Sequence, residues 1–238
     1  MAYPDFFPRR VNQRVPNLAY VADMSNDGSG IYRIDFGAVP ALSTNYFAAA
    51  TLSTTGVALS LTVAAGTILN GGVVPGMPVG STVGTARWGR GLTVVGDGAS
   101  TRAITLTGSD YLGQRIQWTG TLNGTTAVPV SKAFAYLDSA VFAAAADTVS
   151  VSIGYSNVLG LPYQTANMIS EMKSDVAAAN AGTFVGAIYT DPQTATTGDP
   201  RGTYLPVTVI PNGTIPFSII VNAAISRKNL HGVAHFGG

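Results

Sequence analysis

Residues Gly91 to Tyr163 read GLTVVGDGASTRAITLTGSDYLGQRIQWTGTLNGTTAVPVSKAFAYLDSAVFAAAADTVSVSIGYSNVLGLPY. Short β-type runs and turn chemistry alternate along this stretch. Leu92-Thr93-Val94-Val95 is stopped by Gly96-Asp97-Gly98, and Ala103-Ile104-Thr105-Leu106-Thr107 by Gly108-Ser109-Asp110. Arg115-Ile116-Gln117-Trp118-Thr119 alternates, and Asn123-Gly124 turns the chain. In Thr148-Val149-Ser150-Val151-Ser152-Ile153 the apolar residues fall on one face and the hydroxyls on the other. A period of two with β-branched residues is the mark of half-buried antiparallel strands. Asn-Gly between such runs suits a type I′ turn, whose central residues both need positive φ. The expected fold is all-β: an antiparallel β-sandwich or β-barrel with an extended N-terminal arm and one short helix.

Outward from this stretch the chain changes character. Residues 1–40 form the expected arm: Tyr3-Pro4-Asp5-Phe6-Phe7-Pro8-Arg9-Arg10 has prolines, aromatics and no period. Proline extends itself and the residue before it. Within that span Ile31-Tyr32-Arg33-Ile34-Asp35-Phe36 alternates as a strand. Residues 41–225 form a β-rich domain, possible as two sub-domains, and 226–238 a tail. A helix is expected near 165–181, where Met168, Ile169, Met172 and Val176 share one helical face and Gly182 supplies a stop. Asp191 to Gly202 reads as a long polar loop, and Tyr204–Ile210 with Thr214–Val221 as a closing hairpin.

Composition narrows the function. Charged residues make up 11% of the 238, against roughly 25% in ordinary soluble domains, while 46% are hydrophobic. Such a chain covers its surface with Thr, Ser, Asn and Gly, or with other protein. A net charge of +1 gives no case for nucleic acid. Cysteine is absent, which excludes disulfides and thiolate chemistry. The segment Met1 to Arg14 has no apolar core, so no secretory leader is expected, and no apolar run is long enough to span a bilayer.

Catalytic constellations are thin. His231 and His235 share helical spacing that suits a metal, but no third ligand is near. No Gly-x-Ser-x-Gly elbow occurs. Gly89-Arg90-Gly91 and Gly96-Asp97-Gly98 open no helix and carry no Gly-Lys-Ser/Thr, so they read as turns rather than phosphate cradles. Asp97, Asp110, Asp138 and Asp147 lie beside turns, where carboxylates bond local backbone. Asn123-Gly124-Thr125 and Asn212-Gly213-Thr214 match the glycan acceptor pattern and, without a leader, read as turns. The expectation is a non-enzyme without cofactor or metal. Its contact residues would be Tyr3, Phe6, Phe7, Arg9, Arg10 and Arg14 of the arm. Arg87 and Trp88 join them; Arg87-Trp88-Gly89-Arg90 suits either a subunit contact or stacking on a base or sugar.

Four segments carry a resemblance. They are Ser109-Asp110-Tyr111-Leu112-Gly113-Gln114; Thr121-Leu122-Asn123-Gly124-Thr125-Thr126 with Lys132-Ala133-Phe134; Asn157-Val158-Leu159-Gly160-Leu161-Pro162-Tyr163; and Ala195 to Tyr204, ATTGDPRGTY. Together, in this order, they resemble structural proteins of tailed bacteriophages, especially podovirus virions. The resemblance implies a virion component, a capsid decoration or cement protein. A tail or head–tail connection protein, or a host-glycan-binding tail component, is the alternative. It further implies the major capsid protein as partner, a homo-oligomer on the particle and synthesis in the host cytoplasm; the charge and apolar pattern separately lead to an expectation of no membrane and no direct nucleic-acid contact.

Overall fold

The computed structural model describes residues 30–52, 88–143, 149–162, 165–174, 176–177, 182–188, 191–206 and 211–223. These residues are all-β, with antiparallel sheets and no helix among them. A six-stranded sheet is built around one long strand, β8 (Ser150–Gly160). On one side of β8 lies β3 (Arg90–Gly96), followed by β6 (Val128–Phe134). On the other side β2 (Ser43–Leu52) pairs with the first half of β8, and β12 (Thr203–Leu205) with its end. β11 (Thr183–Val185) completes this sheet against β12. A three-stranded sheet runs β5 (Arg115–Thr121), β4 (Ala103–Ser109), β7 (Tyr136–Phe142). A four-stranded sheet runs β1 (Gly30–Ala38), β13 (Pro216–Ala223), β9 (Thr165–Lys173), β10 (Val176–Ala177).

Two hydrophobic clusters lie between these sheets. The larger joins Phe47, Leu92, Val94, Phe134, Val151 and Ile153 of the six-stranded sheet to Ile104, Leu106, Trp118, Leu137 and Phe142 of the three-stranded one. The smaller joins Ile34, Phe36, Phe217, Ile219 and Val221 to Leu159, Leu161 and Tyr204. β8 therefore serves both clusters, Val151 to Tyr155 in one and Leu159 in the other. The alternation explains the placement: Ile104 and Leu106 are buried, while Thr105 between them meets the Thr119 hydroxyl at 2.9 Å on the outer face. β6 and β7 are nearly one strand that changes sheet at Ala135, whose N–H reaches Ser109 O. Where β2 crosses β8, Gly154 is obligatory, since an added Cβ would lie 1.8 Å from Ser43 O.

Several expectations change here. Thr165–Lys173 is a strand and not the helix expected near 165–181. The cause is a bulge. Ile220 pairs with Ser170 but Val221 pairs with Met168, so Ile169 is the extra residue. A bulge breaks the period of two and brings Met168 and Glu171 to the same side, three residues apart. Met168 and Met172 of the supposed stripe thus fall on opposite faces, pairing with Val221 and Ser218, and Ile169 and Val176 are exposed. The Asn123-Gly124 turn is centred one residue later. Thr126 N–H donates to Asn123 O, Gly124 has φ +56°, and neither Asn123 nor Thr125 has positive φ. Positive φ at the first central residue alone is the type II′ pattern. The turn carries the chain between sheets, because β5 and β6 belong to different ones. β12 and β13 likewise lie in different sheets and do not form a closing hairpin. β1, within the span assigned to the arm, is hydrogen-bonded along its length to β13. Residues 1–29 and 224–238 lie outside the described residues.

Candidate functional site

The densest polar construction in the described residues is where the loop 191–202 crosses β5 and β6. In β6, Val130, Lys132 and Phe134 share one parity and all three are buried. Lys132, 0% exposed, thus enters an apolar face. Its ammonium donates to three backbone carbonyls: Pro192 at 2.6 Å, Gln117 at 2.7 Å and Thr194 at 2.8 Å. All three of its protons are used. Burial lowers its pKa from 10.5 to about 8, opposed by the charges of Asp199 and Asp191. The same loop covers the edge of β5, with Gln117 N–H donating to Pro192 O and Thr119 N–H to Ala195 O. A covered edge cannot template unwanted pairing.

Asp199 anchors the far end of the loop. One carboxylate oxygen accepts from Ala133 N–H at 2.9 Å, the other from Arg201 N–H at 2.8 Å and Gly202 N–H at 3.0 Å. Burial pushes its pKa up, while these donors and the Arg201 charge pull it down. Arg201 pairs with Asp110 at 2.6 Å, both groups buried, and its guanidinium lies 4.9 Å from the centre of the Tyr111 ring. Asp110 also accepts from Leu112 and Gln114 N–H, each at 2.9 Å, as its position beside a turn led one to expect. Tyr111 donates its hydroxyl to Pro162 O at 2.6 Å. Asp110 and Tyr111, Lys132 and Ala133, Pro162, and Asp199 with Arg201, far apart in sequence, therefore meet around one buried network, while the Asn123–Thr126 turn lies elsewhere, against Ser100 and Arg102.

Two further buried polar groups stand apart. Arg90 donates through Nε to Ser156 O at 3.0 Å and lies 4.5 Å from the Tyr155 ring centre; burial lowers its pKa to about 10, against the pull of Tyr155. Glu171 of β9 accepts from the Tyr204 hydroxyl of β12 and, at 2.8 Å, from Gly182 N–H. Burial first, and then the Glu171 contact, raise the Tyr204 pKa. This clasp ties the four-stranded sheet to the six-stranded one.

Of the residues expected to form contacts, Trp88 is described. It is half-buried against the smaller core, edge-on to Phe36 with ring centres 5.5 Å apart. Tyr3, Phe6, Phe7, Arg9, Arg10, Arg14 and Arg87, with His231 and His235, lie outside the described residues. Sequence reasoning missed Lys132, Asp199, Arg201 and Glu171. For Lys132 the signal was available, because its parity matches Val130 and Phe134. Among the described residues there is no group of three or more His, Asp or Glu placed to hold a metal, and no helix long and apolar enough to cross a membrane. The chain matches no family model, no curated protein and no solved structure.

The network's chemistry is holding. A lysine with lowered pKa is a potential nucleophile. Here its protons are committed to three carbonyls in an enclosed position, and the Asp199 oxygens are committed to three amides.

Proposed function

We propose that this chain is a structural virion protein of a tailed phage, decorating and cementing the capsid through protein–protein contacts. The observation that carries this reading is that parts of all four segments of the resemblance, those holding Asp110, Lys132, Pro162 and Asp199, meet in one buried network. These residues hold the fold together and point to no substrate. The charge distribution supports it. Seven of the chain's few charged side chains, Arg90, Arg102, Asp110, Lys132, Glu171, Asp199 and Arg201, are buried among the described residues. Charges used inside leave a surface of hydroxyls, glycine and scattered apolar groups, which suits contact with other protein.

A protein that binds the assembled shell but not its free subunits shifts the equilibrium toward assembly. Many copies act together because each ties subunits already held nearby. In this reading the partner is the major capsid protein. The arm, anchored by Phe6 and Phe7 with Arg9, Arg10 and Arg14 facing acids, docks on a neighbouring subunit, since buried aromatics dominate interface energies. The test is thermal. Particles stripped of the protein release DNA at a lower temperature than complete ones, and adding the purified chain restores the difference. Equal melting of stripped and complete particles, together with cleavage or tight binding of a host glycan by the isolated chain, would replace this reading with the tail-component one.

A further inference from the structure

We propose that Asn123 is a site of spontaneous deamidation, and that the fold protects Asn212 from the same reaction. The two residues sit in the same tripeptide, Asn123-Gly124-Thr125 and Asn212-Gly213-Thr214. Their intrinsic chemistry is therefore alike, and the surroundings decide the difference. In the reaction the glycine backbone nitrogen gives up its proton to base and attacks the asparagine Cγ. A new N–Cγ bond forms, the Cγ–Nδ2 bond breaks and ammonia leaves. Water then opens the resulting succinimide at either carbonyl, giving aspartate or isoaspartate. Glycine favours the reaction because it has no Cβ to crowd the ring.

At Asn212 both partners are held. Its side-chain oxygen accepts from Thr214 N–H at 3.0 Å, the Thr214 hydroxyl at 2.9 Å and Ile215 N–H at 3.1 Å. The attacking nitrogen, Gly213 N–H, donates to Val39 O at 2.8 Å. Closing the ring requires the side chain to rotate out of three hydrogen bonds and the backbone to give up a fourth. At Asn123 the hold is weaker. The residue is exposed, and no hydrogen bond restrains its side chain among the described residues. Gly124 N–H donates to Ser100 O at a longer 3.1 Å. Asn123 also lines an open cavity of about 420 Å³ with Ser100, Thr101, Thr125 and Thr126, which leaves room for the ring and for the water that opens it.

The experiment uses the full-length chain, incubated at mildly alkaline pH both folded and in urea. Peptide mapping by mass spectrometry follows the amide-to-acid conversion at each site, with isoaspartate resolved by retention time. The readout is the ratio of the unfolded to the folded rate at each asparagine. The expected result is a severalfold larger protection ratio at Asn212 than at Asn123, with isoaspartate accumulating at Asn123 in the folded chain. Equal ratios, or greater protection at Asn123, would overturn the proposal. Because each site is referred to its own unfolded rate, a difference between the two in urea does not blur the outcome.

Discussion

The two cores of this molecule are closed by different means. The larger one is filled by aliphatic and aromatic side chains from two sheets, and its buried cations lie against rings or carbonyls: Arg90 on Tyr155, Arg102 near Phe142, and Lys132 under the loop 191–202. The smaller one holds a carboxylate and a phenol, with Glu171 reaching Tyr204 across two sheets. Burial of apolar surface is non-directional, so a large core is tolerant of small errors in alignment. A small core gains less from area and relies on a directional bond to fix how its sheets meet. Removing a partner from a buried polar pair costs more than the pair itself contributes, because the remaining group stays desolvated.

This contrast can be broken from its strongest point downward. Asp110→Ala leaves the Arg201 guanidinium buried without its carboxylate and removes two turn hydrogen bonds. The expected loss is about 3–5 kcal/mol in urea unfolding. Arg201→Met should cost clearly less, since Asp110 keeps its two backbone donors. In the larger core, Phe142→Ala is expected to cost about 3–5 kcal/mol through the cavity it leaves. In the smaller core, Tyr204→Phe keeps the packing but removes the clasp, with an expected loss of about 1–3 kcal/mol. Hydrogen exchange should then rise in β9 and β13 while β4 and β7 stay protected.

Lys132 sharpens the comparison through pH. Its folded pKa is depressed from 10.5 to about 8, so the unfolded chain holds a proton that the folded chain has released between those values. Stability rises with pH wherever the unfolded state binds more protons. This lysine's contribution is therefore lowest below about pH 8 and grows as the pH climbs toward 10.5. Lys132→Met should flatten that rise, at a cost of about 1–3 kcal/mol at neutral pH for three carbonyls left without their donor. The smallest effect belongs to the exposed Arg115–Asp138 pair, where Arg115→Ala should cost no more than about 1 kcal/mol.

Much of the fold was legible in the residues. Val149, Val151 and Ile153 announced β8, and Ile104 with Leu106 announced β4, because alternation reports directly on which face is buried. Thr165–Lys173 imitates a helix because Met168, Ile169, Met172 and Val176 fall at helical spacing, and the bulge at Ile169 interrupts the period of two that would mark a strand. The closing hairpin was misread because local pattern does not say which sheet a strand joins: Tyr204 and Phe217 share a core without sharing a sheet. The network was the least legible part. Asp199 and Arg201 lie in a stretch whose Asp-Pro and Gly residues mark it as a loop, and nothing local says that this loop is buried. Lys132 was the exception, since its parity with two buried neighbours places it inward.

The proposal that this chain reinforces a phage shell by contact is tested most directly by its copy number in particles. Quantitative gel densitometry of purified virions, referred to the major capsid protein, gives that number. The expected result is copies in fixed proportion to capsid subunits, released together with a loss of particle heat stability. Tail-level copies, or absence from the particle with full heat stability retained, would contradict it.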